Sequence, residues 1–179
     1  MRITCIGNKI KLDQSDYLKK VLERFGMTNA KATSIPILKG YTPEPADKSA
    51  NPKLRQCFQS VIGSLLYLMI GTRPDIAYAV IKLSQFSANP TESHLRHALN
   101  ICHYLVGTQD YSLVYNGDSN QGLIAYTDLD WASDPLHCRS QTGFFLKLAD
   151  CIISWSSHAQ KTITLSSTEA EYMAMSDCC

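Results

Sequence analysis

Two acid-bearing stretches hold the chemistry that this sequence could perform. Ile124-Ala-Tyr-Thr-Asp-Leu-Asp-Trp131 leads branched and aromatic residues into Asp128 and Asp130, the pattern of a strand. Leu165-Ser-Ser-Thr-Glu-Ala-Glu-Tyr172 reads as a loop entering a helix, with Ser166 or Ser167 as cap and Glu169 in the first turn. A carboxylate at a strand end and another at a helix start can face one pocket when that helix packs on that sheet. Close carboxylates repel, and a divalent cation relieves the repulsion. Carboxylates bridged by magnesium activate water and steady the charge on a phosphodiester in transit. Acids at element ends also act as turn and cap residues, and spacing alone favours that plainer role. Asp130 shares a strand face with Asp128 and could assist it, whereas Glu171 should point elsewhere around the helix than Glu169.

The elements that must position these acids follow from the rest of the chain. Residues 2–6 and 9–12 read as two short strands around a Gly7-Asn8 turn. Asp13 or Ser15 then caps a helix to about Phe25, whose Tyr17, Leu18, Val21, Leu22 and Phe25 form one apolar face ended by Gly26. Residues 40–52, with Pro43, Pro45 and Pro52, have no periodic face and read as a linker at a subdomain boundary. Three helices are expected next. The first covers 54–69, the second begins at Pro74 and runs past Phe86, and the third covers 92–106 with Thr91 as cap. Joined by short breaks, they should pack as a bundle. A strand at 111–115, a turn-rich second boundary at 116–122 and the strand bearing Asp128 come after it. A hairpin of 142–148 with 151–155, an extended piece at 161–165 and a short helix from about Thr168 complete the chain.

Composition narrows the function classes. An apolar fraction of 45% in 179 residues suits a folded chain with one substantial core or two small ones. No apolar run reaches the length of a membrane span, and no secretory signal follows Met1. The seven cysteines have no Cys-x-x-Cys spacing, which argues against zinc and for thiols in a reducing, intracellular compartment. The net charge is +1, but residues 1–110 carry 14 Lys and Arg against 8 Asp and Glu, and residues 111–179 carry 3 against 8. A basic front suits phosphate contacts and an acidic rear suits a metal, although Lys19, Lys20 and Arg24 also fit the wet face of a helix. His94 and His97, one turn apart, form a conceivable metal pair, but surface or interface histidines fit the pattern better. Arg73, Asp75 and Tyr78 read equally as a nucleic-acid contact or as residues that serve a helix end. No residue is assigned to nucleic-acid binding.

Motif order adds what spacing cannot. Tyr126-Thr-Asp-Leu-Asp-Trp-Ala132, Arg139-Ser-Gln-Thr-Gly-Phe144, Ile153-Ser-Trp-Ser-Ser157, Gln160-Lys-Thr162 and Leu165-Ser-Ser-Thr-Glu-Ala-Glu-Tyr-Met-Ala174 resemble the start of the ribonuclease H domain of copia-type LTR retrotransposon Pol polyproteins. Upstream, Ile62-Gly-Ser-Leu-Leu-Tyr-Leu-Met69, Gly71-Thr-Arg-Pro-Asp-Ile-Ala77 and Tyr104-Leu-Val-Gly-Thr108 resemble the thumb and connection segments that precede that domain. The resemblance implies an α+β chain, a helical thumb and connection bundle followed by a truncated ribonuclease H-like α/β domain. Its implied parts are the end of the reverse transcriptase palm with the first thumb helix at 1–39, a linker at 40–52, thumb and connection helices at 53–115, and the N-terminal part of ribonuclease H at 122–179.

The same resemblance implies Asp128 and Glu169 as catalytic metal ligands, Mg2+ or Mn2+ as cofactor, and an RNA–DNA hybrid and the rest of the Pol polyprotein as partners. It places the protein in a cytoplasmic virus-like particle or the nucleus. Two further aspartates of the family pattern would follow beyond this sequence, and the Tyr-x-Asp-Asp strand of the polymerase does not occur in it. The expectation is therefore a Pol fragment that is inactive alone and binds magnesium weakly. The alternatives are a domesticated nucleic-acid or protein binding module without catalysis, or an inert remnant of a decayed element.

Overall fold

A computed structural model describes residues 1–38, 40–46, 49–130, 140–160, 162–164 and 166–178. It mixes helices with two three-stranded sheets and divides into two units. The first unit comprises Met1–Ile3 and Leu12–Ser112, and the second comprises Thr4–Lys11 and Leu113–Cys179. No helix among the described residues is long and apolar enough to cross a membrane.

Apolar residues at helical spacing build the first unit. Helix α1 (Ser15–Arg24) buries Leu18, Val21 and Leu22. Its N-cap is Gln14, which makes no side-chain cap bond. Asp13 instead accepts bonds from the Ser15 N–H (3.1 Å) and hydroxyl (2.5 Å), and from Arg2 Nε (3.1 Å). Burial alone would raise the Asp13 carboxyl, but the bonds from Ser15 and Arg2 outweigh it and hold the group below the usual range. Gly26, at φ 67°, lets the helix close: Met27 N–H reaches the Leu22 carbonyl and Gly26 N–H the Glu23 carbonyl.

Helix α2 (Pro52–Gly71) begins two residues before the expected span, because Asn51 caps the Lys53 N–H at 2.9 Å and Pro52 suits the first turn. A single 3-10 turn (Pro74–Ile76) leads into α3 (Ala77–Ser84), and α4 (Glu92–Gly107) follows. The three helices pack on one another around Phe58, Val61, Leu65, Ile76, Val80, Leu83, Ile101 and Leu105, all fully buried. Residues 40–52 contain no helix or strand before Pro52 among those described, yet their first part is docked. Tyr41 stacks on His97 of α4 at 3.6 Å, and Pro43 is buried.

The second unit is built on strand pairs. Strands β1 (Arg2–Ile6) and β2 (Lys9–Asp13) turn at Gly7, and with β3 (Leu113–Asn116) they form a sheet in the order β1-β2-β3. The other sheet has the order β4-β5-β6, from β4 (Ile124–Asp130), β5 (Gln141–Leu148) and β6 (Cys151–Ala159). Ala149 and Asp150 both take positive φ (50° and 65°), the twist that a two-residue hairpin requires. Strand β6 continues four residues beyond the expected end at Trp155, since Ser156 to Ala159 keep pairing with β5 although the apolar alternation has ceased. Residues 162–164 form no strand, and Lys161 and Leu165 of the expected extended piece lie outside the described residues. Helix α5 (Ser167–Cys178) packs on β4 and β5. It spans 12 residues, longer than the two turns expected, and Ser166 is its cap, accepting from the Glu169 N–H at 3.2 Å.

Candidate acidic site on the second sheet

Asp128 sits within β4, which is an edge strand among the described residues, and Asp128 is exposed. Its partner on β5 is Gly143, and Gly143 in turn faces Ser157 on β6. Opposed residues of an antiparallel pair share a face, so Asp128 lies beside Tyr126 and Phe145, whose rings stack at 4.7 Å. Gly143 leaves that side of the carboxylate open. A Cβ built there would meet nothing nearer than the Asp128 carbonyl oxygen at 4.0 Å.

The other face of the sheet presents Leu129, Thr142 and His158 in register. This is the face that receives α5. Gln160 donates from Nε2 both to Thr142 Oγ1 (2.9 Å) and to the Ala170 carbonyl (3.0 Å), and His158 Nε2 pairs with Asp177 at 3.0 Å. Ala170 and Ala174 form the buried stripe of the helix. Glu169 and Glu171 stand one residue to either side of Ala170, about 100° away in opposite directions, and both are exposed. Glu169 shares its flank with Met173, which receives a bond from Thr162 in the segment after β6. Glu171 is on the opposite flank. By the pleat, Asp128 therefore belongs to the face of the sheet opposite to the one that receives α5. Asp130 closes β4, and its side chain lies outside the described residues.

Among the described residues, no three His, Cys, Asp or Glu side chains gather as metal ligands.

The other candidates of the sequence are committed to structure. His94 is buried at 1% exposure, not at the surface, and it forms a reciprocal cap with Thr91. Its Nδ1 accepts from the Thr91 N–H at 3.1 Å, and Thr91 Oγ1 accepts from the His94 N–H at 3.2 Å. Phe86 packs against the ring at 4.3 Å, and burial lowers the His94 pKa. Burial, followed by the Arg96 charge, likewise lowers that of His97. His103 donates from Nδ1 to the Lys31 carbonyl at 2.7 Å. Arg73, 3% exposed, binds Asp75 and both the carbonyl and hydroxyl of Thr108, with Tyr104 and Tyr111 against its guanidinium. Tyr104 donates to Asp75, and burial with the Asp75 charge pushes its phenol up to about 12. Cys5 and Cys57 are exposed free thiols, and burial pushes the Cys102 thiol up to about 12, which makes it unreactive.

In the sequence, Gln160 stands out only as part of the motif Gln160-Lys-Thr162. Its role needed the fold, because its partners Thr142 and Ala170 come from separate elements.

No family model and no solved structure matches the chain. Curated proteins do. The chain is 39% identical over 177 residues to the retrovirus-related Pol polyprotein from transposon TNT 1-94 of Nicotiana tabacum, covering 96% of this chain but only 13% of that protein. It is 42% identical over 120 residues to secreted RxLR effector protein 161 of Plasmopara viticola, covering 67% of this chain and 84% of the effector. An uncharacterised mitochondrial protein of Arabidopsis thaliana is 36% identical over 165 residues, covering 92% of this chain and 67% of the relative.

Proposed function

The chain belongs to the retrovirus-related Pol polyprotein family of copia-type transposons, and from that premise we propose that its second unit is the front part of a metal-dependent nuclease that removes RNA from RNA–DNA hybrids. The first unit then corresponds to the end of the palm and the thumb and connection segments of a reverse transcriptase, and the full-length protein carries out RNA-directed DNA synthesis. The observation that carries this reading is the packing of α5, with its two acids, on the strand that bears Asp128. A bound magnesium or manganese would activate water and stabilise the phosphodiester charge. Asp128 would hold it from β4, where Gly143 leaves room, together with a helix acid.

Geometry also bears on which helix acid serves. Glu169 shares its flank with Met173, which accepts from Thr162 in the segment after β6, and Glu171 lies on the opposite flank of the helix. Glu169 is the helix acid that the resemblance implies, and Glu171, exposed on the opposite flank, is the alternative that substitution separates from it. With half of an acid set, the 179-residue chain should not cut a hybrid by itself, because the water and the leaving oxygen must each face a positioned metal. The test is hybrid cleavage by a version extended with the remainder of a related Pol protein. Cleavage should appear only on extension, vanish in Asp128→Asn, and vanish in one of Glu169→Gln and Glu171→Gln. Activity that survives Asp128→Asn, or that survives both helix variants, overturns the site.

A second reading is a non-catalytic binding module. The relatives from Plasmopara and Arabidopsis match over 84% and 67% of their own lengths, so much of this segment also occurs in short proteins. Salt-dependent binding of a hybrid by the isolated chain, unchanged in Asp128→Asn, favours that reading.

A further inference from the structure

We infer that Gln160 is a positioning residue, whose buried side-chain amide clamps the start of α5 to the central strand β5 and so fixes where the helix acids stand relative to Asp128. Gln160 follows directly on β6 and is 2% exposed. Its backbone N–H donates to the Ser140 carbonyl at 2.8 Å, which ties it to the residue before β5. Both protons of its side-chain amide are then used, one on Thr142 Oγ1 of β5 and one on the Ala170 carbonyl of α5. A helix carbonyl has a second lone pair beyond its own helical bond, so the Ala170 oxygen accepts without loss to α5. Alanine at 170 and 174 lets the helix backbone come close enough for this reach. Ser140, Thr142 and Thr164 are buried as well, with Ser140 Oγ 3.4 Å from Thr164 Oγ1.

The amide oxygen of Gln160 is buried and has no hydrogen-bond partner among the described residues. Burying an unpaired acceptor is unfavourable. The side chain is thus held at this position by its donors, and the clamp is directional: it needs an N–H pair aimed at a hydroxyl and a carbonyl. Shape alone does not replace it. Leucine fills much of the space without donors, and ionised glutamate keeps the shape but presents only acceptors to the Ala170 oxygen.

The consequence for Asp128 rests on the nuclease reading above, whereas the clamp itself does not, and the experiment separates the two. Backbone amide exchange of the 179-residue chain reads the clamp. Gln160→Leu should lower protection across α5 by about tenfold and leave the β5–β6 ladder within about twofold of the parent. Gln160→Glu should lose α5 protection at neutral pH and regain it as the carboxyl takes up a proton and with it an O–H donor. Equal loss in α5 and in the ladder, or α5 protection in Gln160→Glu that ignores pH, overturns the clamp. Manganese-induced line broadening at residues 128 and 168–171 reads the second step. Its absence in the parent chain removes the metal reading and leaves the clamp standing. Broadening in Gln160→Leu equal to the parent removes the positioning role and leaves the metal reading standing.

Discussion

The two units use their polar residues in opposite ways. In the helical unit, the groups that look chemically capable are turned inward and bonded to the chain itself. Arg73 closes on Asp75 and Thr108, His94 on Thr91, and Gln14 on Tyr67 and Thr72. In the sheet unit, the buried polar groups Gln160, Thr142, Ser140 and Thr164 support the frame, while Asp128, Glu169 and Glu171 are exposed. An ionisable group already satisfied by fixed donors or acceptors has little to offer a ligand. An exposed carboxylate opposite a glycine, as Asp128 is, keeps that capacity. Residue type alone therefore does not locate chemistry in this chain, but the partners of each residue do.

The largest test of this contrast is Arg73→Ala. It strands the Thr108 carbonyl and leaves Asp75 without its cation, and should cost the helical unit about 3 kcal/mol. Amide exchange in α2 and α4 should report the loss, with no change in the β5–β6 ladder. A mild effect would mean that Arg73 is less committed to structure than its bonds indicate.

Acid should weaken the same unit next. His94 and His97 both have lowered pKa values in the fold, so the unfolded chain binds protons first as pH falls. Their contribution is complete above the unfolded value of about 6.5 and is lost below it, with a slope of at most about 1.4 kcal/mol per pH unit for each histidine. Urea titrations of the helical unit between neutral and mildly acidic pH should show this fall, and His94→Gln should flatten it. Stability that is level across that range would contradict a buried, neutral His94.

Thr91→Ala removes one half of the reciprocal cap and should cost about 1 kcal/mol, read as faster exchange in the first turn of α4. Asp128→Asn is the smallest. It should leave the thermal midpoint unchanged, because the carboxylate is exposed and opposite Gly143. Marked destabilisation by Asp128→Asn would make that residue structural and erase the contrast.

Much of the local structure was legible from residue types. Thr91 before an acidic first turn and Gly26 after an apolar face each mark a helix end through a mechanism that acts within a few residues. Strand β1 begins and ends where alternation and Gly7-Asn8 place it. What escaped depends on partners distant in sequence. The polar run Ser156 to His158 looks like loop until β5 is beside it. His94 looks like a surface histidine until Phe58 and Phe86 enclose it. The acids were legible as residues, but their faces were not. That Asp128 is on the side of the sheet away from α5 follows from the register Leu129 to Thr142, which no local pattern encodes.

Manganese titration of the isotope-labelled 179-residue chain, followed amide by amide, tests the central claim most directly, because a paramagnetic ion broadens the residues around its site. The account predicts weak binding with the strongest broadening at Asp128 and in the first turn of α5, lost in Asp128→Asn, and none at His94, His97 or Arg73. Strongest broadening on the α4 histidines, or a β4 response that persists in Asp128→Asn, would contradict it.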